Sequence, residues 1–285
     1  MKFGGTSLGD AERIVAVSEI LRARLDRRPV VVLSAQVEMD IAQMPEDQQG
    51  LIVGDPCTPQ EVVAAALNGD CRSISYTYTE PTVFFEFAYE TAKLAHAEGL
   101  KNVFVTNGYM TDAALEMIRP YLDAANVDLK ALNGKYYRDV CGAKLSHVKE
   151  TLKQMKSGGI FVEVTTLIVP GLNDDSGELE KLAEFLVTDL GPETPWHISR
   201  FHPTYKLTDR PPTPLATLLT ARDIGLKAGL RYVYTGNVPG EDSENTLCYN
   251  CGRIVIARWG FQIRNTALEE GRCRYCRAVI DGVGL

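Results

Sequence analysis

Residues 82–108, TVFFEFAYETAKLAHAEGLKNVFVTNG, carry the pattern that decides the fold. The first part has apolar side chains at helical spacing and ends at Gly99, a residue type suited to a helix C-terminus. An apolar run at 102–106 follows, with the composition of a buried strand, and the polar segment TNG comes directly after it. The stretch therefore predicts a helix and then a strand, with polar groups at the carboxyl end of the strand.

Similar runs recur along the chain. Predicted strands lie at 73–77, 102–106, 125–129, 161–168, 197–201 and 231–235. Amphipathic helical patterns lie between them, and this alternation implies parallel strands joined by right-handed crossovers. The fold class is therefore α/β. A barrel, a partial barrel and an open doubly wound sheet all fit, and periodicity alone does not choose among them.

Polar residues follow each predicted strand, where ligands bind in parallel α/β architectures. Glu80 could accept hydrogen bonds from an ammonium or hydroxyl group, and Asp128 and Lys130 could form a paired acid and base. The alternative, which spacing alone does not exclude, is a helix-capping carboxylate and a surface ion pair. His202 also follows a strand, whereas His197 begins that strand and is predicted to be structural.

The cysteines fall into two groups. Cys57, Cys71 and Cys141 stand alone and are interpreted as core or turn side chains. The other four form two Cys-x-x-Cys pairs on either side of a predicted β-hairpin at 253–265; they are Cys248, Cys251, Cys273 and Cys276. Two such pairs can place four thiolates tetrahedrally around one ion. A structural zinc ion is the first expectation, a rubredoxin-like iron the second, and two disulfides the third.

Composition excludes several classes of function. The formal net charge of −7 leaves no basic stripe for a nucleic-acid backbone, so no nucleic acid is expected as a partner. No apolar run approaches the roughly 20 residues that a bilayer span requires, so no membrane association is expected. The cytoplasm is the predicted location.

From about residue 36 the sequence resembles the radical S-adenosylmethionine (SAM) enzymes of the AmmeMemoRadiSam system, relatives of the pyruvate formate-lyase activating enzymes. The matching segments include CRSISYTYTEPTVFFE (71–86), AANVDLKALNGKYYRDVCGA (124–143), EVTTLIVPGLNDD (163–175) and PWHISRFHP (195–203). The resemblance implies a partial (β/α)6-type radical SAM barrel over 36–240. A small zinc-ribbon-like β module is predicted over 241–285.

The resemblance also implies a cofactor site for SAM. The segment YTEP takes the place of the family's Gly-Gly-Glu segment, which holds the methionine amino group. The implied binding residues are Thr79, Glu80, Asn107, Asp128, Lys130 and His202. In the family a 4Fe–4S cluster cleaves SAM, and the resulting 5′-deoxyadenosyl radical abstracts hydrogen from a substrate or activates a glycyl-radical enzyme.

The N-terminal part departs from that family. In that family the 4Fe–4S cluster is held by a Cys-x3-Cys-x2-Cys run. The corresponding place in this chain reads PVVVLSAQVEMDIAQ (29–43) and contains no cysteine. Residues 1–35 instead resemble the start of an aspartokinase, in which Lys2, Gly4, Gly5, Thr6 and Ser7 belong to a nucleotide phosphate site. The apolar run at 30–33 is predicted to pair beside the strand at 73–77 and to supply the first barrel strand.

Three functions follow. The first is a radical SAM enzyme with a 4Fe–4S cluster whose usual ligands are missing here. The second is a non-catalytic SAM-binding or scaffold protein, the product of a chimeric or mis-assembled gene. The third and most remote is an amino acid kinase fragment. The expected partners are a protein or small-molecule substrate and, by resemblance, Memo-like and Amme-like proteins.

Overall fold

The computed structural model describes residues 57–77, 80–204, 207–238, 244–259, 262–283 and 285. The aspartokinase-like segment, the predicted strand at 30–33 and Thr79 lie outside the described residues. The predicted domain boundaries near residues 35 and 240 also lie outside them, so these features remain predictions.

The described chain divides into two compact units. The first contains the described residues up to Asn126 together with 158–160, and the second contains 127–157 and the described residues from Phe161 onward. The larger sheet has six strands, and their order in the sheet is the same as their order along the chain.

The first unit alternates helices and strands as predicted. Its elements are α1 (Pro59–Asn68), β1 (Ser73–Tyr76), α2 (Phe85–Ala97), β2 (Lys101–Thr106) and α3 (Asp112–Ile118), followed by β3 (Ala124–Asp128), which ends in the second unit. Helix α1 begins at a capping box, in which the Thr58 hydroxyl accepts the Glu61 N–H and the Glu61 carboxylate accepts the Thr58 N–H. Strands β1 and β2 pair in parallel.

A buried amide fixes the position of β2. The Asn102 side chain accepts the Tyr76 hydroxyl at 2.9 Å and donates to the carbonyls of Ala92 and Tyr121 at 3.0 and 2.9 Å. Because unsatisfied buried polar groups are costly, these bonds favour one arrangement of strand and helix. The bonds of Asn102 therefore hold the start of β2, the strand that leads to the polar turn.

The second unit continues the alternation. Its elements are α4 (Gly134–Asp139), α5 (Leu145–Ser157), β4 (Phe161–Ile168), α6 (Ser176–Phe185) with a π-helical turn (Leu186–Leu190), β5 (Trp196–Arg200), α7 (Leu215–Ala228) and β6 (Val233–Gly236). Strand β5 pairs in parallel with β4 and β6. The six predicted strands are confirmed, with differences of one or two residues at most ends.

The fully buried indole of Trp196 organises this unit. Its Nε1–H donates to the Thr166 hydroxyl at 3.0 Å, and that hydroxyl donates to the Leu129 carbonyl at 2.8 Å. Helix α7 packs on the indole through Gly225, where an added Cβ would lie 2.8 Å from the ring. A glycine is therefore required by close packing at this helical position.

The C-terminal part contains the predicted hairpin. Strands β7 (Thr246–Leu247), β8 (Ile254–Trp259) and β9 (Gln262–Thr266) form an antiparallel sheet, and β10 (Leu268–Glu269) pairs with β11 (Arg272–Cys273). This part packs on the residue that precedes β6, since Tyr232 shares a buried cluster with Val255 and Ile280.

Among the described residues, no helix has both the length and the apolar character that crossing a membrane requires.

We expect Gly225→Ala to lower the free energy of unfolding by about 1–3 kcal/mol, because overpacking against Trp196 outweighs the gain in helix propensity. Gly134→Ala is the matched control, since a Cβ there meets nothing within 4 Å, and it should change stability by less than about 0.5 kcal/mol. Urea unfolding followed by circular dichroism measures both. Equal stability of the two variants would contradict the packing described for α7.

Candidate functional site

The Glu80 carboxylate is held at the end of β2 by three donors. One oxygen accepts the Thr106 hydroxyl at 2.5 Å and the Thr82 hydroxyl at 3.2 Å, and the other accepts the Asn107 backbone N–H at 2.7 Å. Glu80 is half-buried. The carboxylate is thus oriented by the turn that follows a strand. The helix-capping alternative does not describe it, because α2 begins after Phe84 without a side-chain cap.

The TNG segment forms this turn. Gly108 has a φ of +71°, and its N–H donates to the Thr106 hydroxyl at 3.0 Å. The Asn107 side chain accepts the Tyr109 N–H at 2.7 Å. A carboxylate offers about four acceptor positions, and three are used by these donors. The remaining position suits a cationic donor such as a ligand ammonium, which would also neutralise the charge.

The structure brings Asp128 and Lys130 together as an ion pair with an Nζ–Oδ2 distance of 2.6 Å. Both side chains are about one-third exposed, at 30 and 33%. The Lys130 backbone is held from both sides, since its N–H donates to the Tyr137 hydroxyl and its carbonyl accepts from the Asn173 amide. The two side chains therefore form an ion pair on a fixed loop, and their predicted role as a paired acid and base stays a prediction.

The two strand-associated histidines differ in their surroundings. His202 follows β5 and is half-buried. His197 lies 2.9 Å from the Glu163 carboxylate, measured from Nε2, and stacks on the Tyr234 ring at 5.1 Å. These contacts suit the structural role predicted for His197. Glu163 and Tyr234 lie far from it in sequence, so spacing gave no signal for this cluster.

The four paired cysteines converge on one point. All four sulfur atoms lie within 4.8 Å of one another, with Cys248–Cys276 at 3.5 Å and Cys251–Cys273 at 3.7 Å. A disulfide would require about 2.05 Å. Four thiolates around one ion, with metal–sulfur bonds of about 2.3 Å, stand about 3.8 Å apart. The group is therefore shaped for a single metal ion.

The two cysteine pairs have the same backbone turn. The Gly252 N–H donates to the Cys248 carbonyl at 2.8 Å, and the Arg277 N–H donates to the Cys273 carbonyl at 2.8 Å. Gly252 and Arg277 both have a left-handed φ, +71° and +63°. Such turns aim two thiolates at one point, and the pairs face each other.

The cysteine environments are unequal. Hydrogen bonds from the Asn250 side chain and the Ala278 backbone lower the pKa of Cys276, whereas burial raises the pKa of Cys248. The Asn250 amide and the Ala278 N–H therefore stabilise the thiolate form of Cys276, which is half-buried. Burial favours the neutral thiol of Cys248 in the free protein, and a metal cation would compensate the charge of its thiolate.

The three lone cysteines are not part of this group. Cys57 is exposed with its thiol 3.6 Å from the Thr58 carbonyl, Cys71 lies 3.9 Å from the Gly69 carbonyl, and burial raises the pKa of Cys141. Within the described residues, the C-terminal cysteines are the one group of three or more His, Cys, Asp or Glu side chains arranged for a metal ion. The lone cysteines therefore do not form a cluster site.

Comparison with known proteins places these features in context. The family model described as the radical SAM superfamily matches residues 53–186. An uncharacterized protein of Methanocaldococcus jannaschii is 48% identical over 243 residues, covering 85% of this chain and 71% of that protein. The benzylsuccinate synthase activating enzyme of Thauera aromatica is 25% identical over 142 residues, covering 47% of this chain and 43% of the enzyme.

Solved structures confirm the fold. A domain of a pyruvate-formate lyase-activating enzyme from Bacteroides vulgatus is similar with a TM-score of 0.50 and 14% identity, covering 58% of this chain and 99% of that domain. SuiB of Streptococcus suis bound to S-adenosylmethionine gives a TM-score of 0.52 and 14% identity, covering 65% of this chain and 44% of SuiB. The predicted α/β partial barrel is therefore confirmed.

We expect the purified protein to contain about one metal ion per chain and Cys251→Ser to lose most of it, since three thiolates bind more weakly than four. Cys57→Ser is the matched control, because Cys57 and Cys251 are both exposed and only Cys251 belongs to the four-cysteine group. Elemental analysis after gel filtration measures the content. Full metal content in Cys251→Ser would place the ion elsewhere.

Proposed function

We propose that this chain, which belongs to the radical SAM superfamily and is related to the activating enzymes, binds S-adenosylmethionine through the Glu80 carboxylate. The observation that carries the proposal is the orientation of that carboxylate by three donors at the end of β2. Because the carboxylate is already held, binding a ligand costs little further side-chain entropy.

The chemistry of the amino acid end of SAM matches this site. Its ammonium group supplies a positive charge and three N–H donors, while Glu80 offers a negative charge and an acceptor position. The Asn107 and Thr106 donors keep that position fixed. Thr79, Asp128, Lys130 and His202 remain predicted cofactor contacts, as the family resemblance implies.

Membership of the superfamily implies a 4Fe–4S cluster as well as SAM. When bound, such a cluster supplies the electron that cleaves the sulfonium, and it needs three thiolates with one iron left open. The described cysteines do not fit this need, because four surround a single-ion site and the other three do not converge in the described part of the chain. The proposal is therefore limited to binding of SAM by Glu80 and does not extend to the cluster. Glycyl-radical activation and Memo-like or Amme-like partners remain predictions of the resemblance.

We also propose that the four-cysteine site holds zinc. Zinc prefers a tetrahedral set of four thiolates, and with every position taken by protein the ion would stabilise the fold rather than react. Cys248 and Cys273 are buried in the cluster that contains Tyr232, so the ion would support the chain just before the start of β6. Metal analysis distinguishes zinc from iron, and about one iron per chain without zinc would contradict the assignment.

We expect Glu80→Gln to weaken SAM binding by about 10- to 100-fold, because a charged hydrogen bond worth about 1.5–3 kcal/mol is lost. Isothermal titration calorimetry on the full chain measures the affinity.

Glu116→Gln serves as the control, since Glu116 is an exposed residue of α3 in the same unit. Its affinity should equal that of the unmodified chain. Unchanged SAM affinity in Glu80→Gln, with both variants folded, would overturn the proposed site.

A further inference from the structure

Strand β6 is a short strand at the edge of the described sheet. It has four residues, Val233–Gly236, and in the described part of the chain it pairs with β5 alone. A short strand with one hydrogen-bonded neighbour takes much of its stability from side-chain packing on its two faces. Helix α7 packs on one face, since a Cβ on Gly225 would lie 3.0 Å from the Val233 side chain. The opposite face carries Tyr234, and Tyr232 precedes the strand in the same alternating pattern.

The cysteine-rich part of the chain packs on this aromatic face. Tyr232 is 3% exposed and belongs to a buried cluster that includes Cys248 and Cys273. Tyr234 packs against the same cluster, and its hydroxyl is hydrogen-bonded to that of Thr246 at 3.0 Å. Two of the four cysteines that can hold a metal ion therefore lie in the core that supports β6.

Polar contacts reinforce this packing at the start of β6. The Asp281 carboxylate accepts the Arg231 Nη1–H at 2.8 Å and the Tyr232 hydroxyl at 2.9 Å, while the Asp281 N–H donates to that hydroxyl at 3.0 Å. The Arg231 guanidinium also lies 4.4 Å from the centre of the Tyr249 ring. Tyr249 lies within the first cysteine pair, and Asp281 follows the second. The residues before β6 therefore contact segments that adjoin both pairs.

The other end of β6 leads into a polar turn at the carboxyl ends of the strands, where ligands bind in α/β proteins. Asn237 has a left-handed φ of +59°, and its side-chain amide donates to the Arg200 carbonyl at the end of β5, at 3.2 Å. His202, a predicted SAM contact, follows Arg200 by two residues. Because β6 is so short, separation of its aromatic face from the cysteine-rich part should also loosen this turn.

The buried cluster under β6 has a small core of its own. It has five buried members, and two of them, Cys248 and Cys273, are candidate metal ligands. A core of this size gives little stability by itself, and metal binding supplies folding free energy in such four-cysteine sites. Loss of the ion should therefore loosen both cysteines and the packing of Tyr232 against them.

We propose that metal binding at the four-cysteine site controls the order of β6 and of the turn at Asn237. The metal-bound form holds the aromatic face of the strand, and the metal-free form releases it. The site is thus a metal-dependent switch that acts on the ligand end of the sheet. This role goes beyond SAM binding and does not require it, and it rests on the proposed metal site, whose occupancy is measured separately.

The first test measures amide hydrogen exchange of the full chain by mass spectrometry, with zinc bound and after removal of zinc by a chelator under reducing conditions. Peptides over 231–238 report on β6, and peptides over 161–168 report on β4. Removal of zinc should speed exchange in β6 by about tenfold or more, and added zinc should restore slow exchange. Exchange in β4 should change by less than about twofold, because the Trp196–Thr166 bond joins β4 to β5 without the cysteines.

Two results of this first test would overturn the proposal. One is equal exchange of β6 with and without zinc, which would show that the ion does not support the strand. The other is an equal increase in β4 and β6, which would show general unfolding rather than a local switch.

The second test uses Asp281→Ala, which removes the bonds to Arg231 and Tyr232 but keeps all four cysteines. With zinc bound, its β6 amides should exchange about threefold faster or more than those of the unmodified chain. Asp223→Ala is the matched control, because Asp223 is an exposed carboxylate of α7, and it should change neither zinc content nor exchange.

Full zinc content with unchanged β6 exchange in Asp281→Ala would overturn the proposed route. Loss of zinc together with faster exchange would support it, since coupling between two sites is reciprocal. Neither measurement uses SAM, so failure of the proposed SAM site is distinguishable from failure of this switch.

Discussion

The hydrogen bond from the Trp196 indole to Thr166 sets the geometry of the second unit. It joins β5 to β4, and the Thr166 hydroxyl extends it to the Leu129 carbonyl just beyond β3. All three residues are fully buried, so the bonds form in a medium where unpaired polar groups are costly. The loop that follows β3 starts from this fixed frame, and it carries Lys130.

Sequence reasoning predicted the strands because strand and helix periods differ. Short apolar runs such as 161–168 end at polar turns, and the structure has β4 at the same residues. The cysteine pairs were equally informative, because two Cys-x-x-Cys turns on either side of a hairpin leave few alternatives to one ion. Local patterns decide both features, and local patterns are visible in a single sequence.

Contacts between distant residues were not predictable in this way. The resemblance singled out Glu80, but the Thr106 hydroxyl that orients it lies 26 residues away. Spacing did not show whether Asp128 and Lys130 touch, whereas the structure has them as an ion pair. Tertiary packing decides such cases.

The central claim is that a preoriented carboxylate recognises the SAM ammonium group. The most direct measurement compares the affinity of the unmodified chain for SAM and for an analogue whose α-amino group is replaced by hydrogen. A carboxylate–ammonium bond predicts binding of the analogue weaker by about tenfold or more. Equal affinity for the two compounds would contradict the account, because Glu80 would then have no cation to bind.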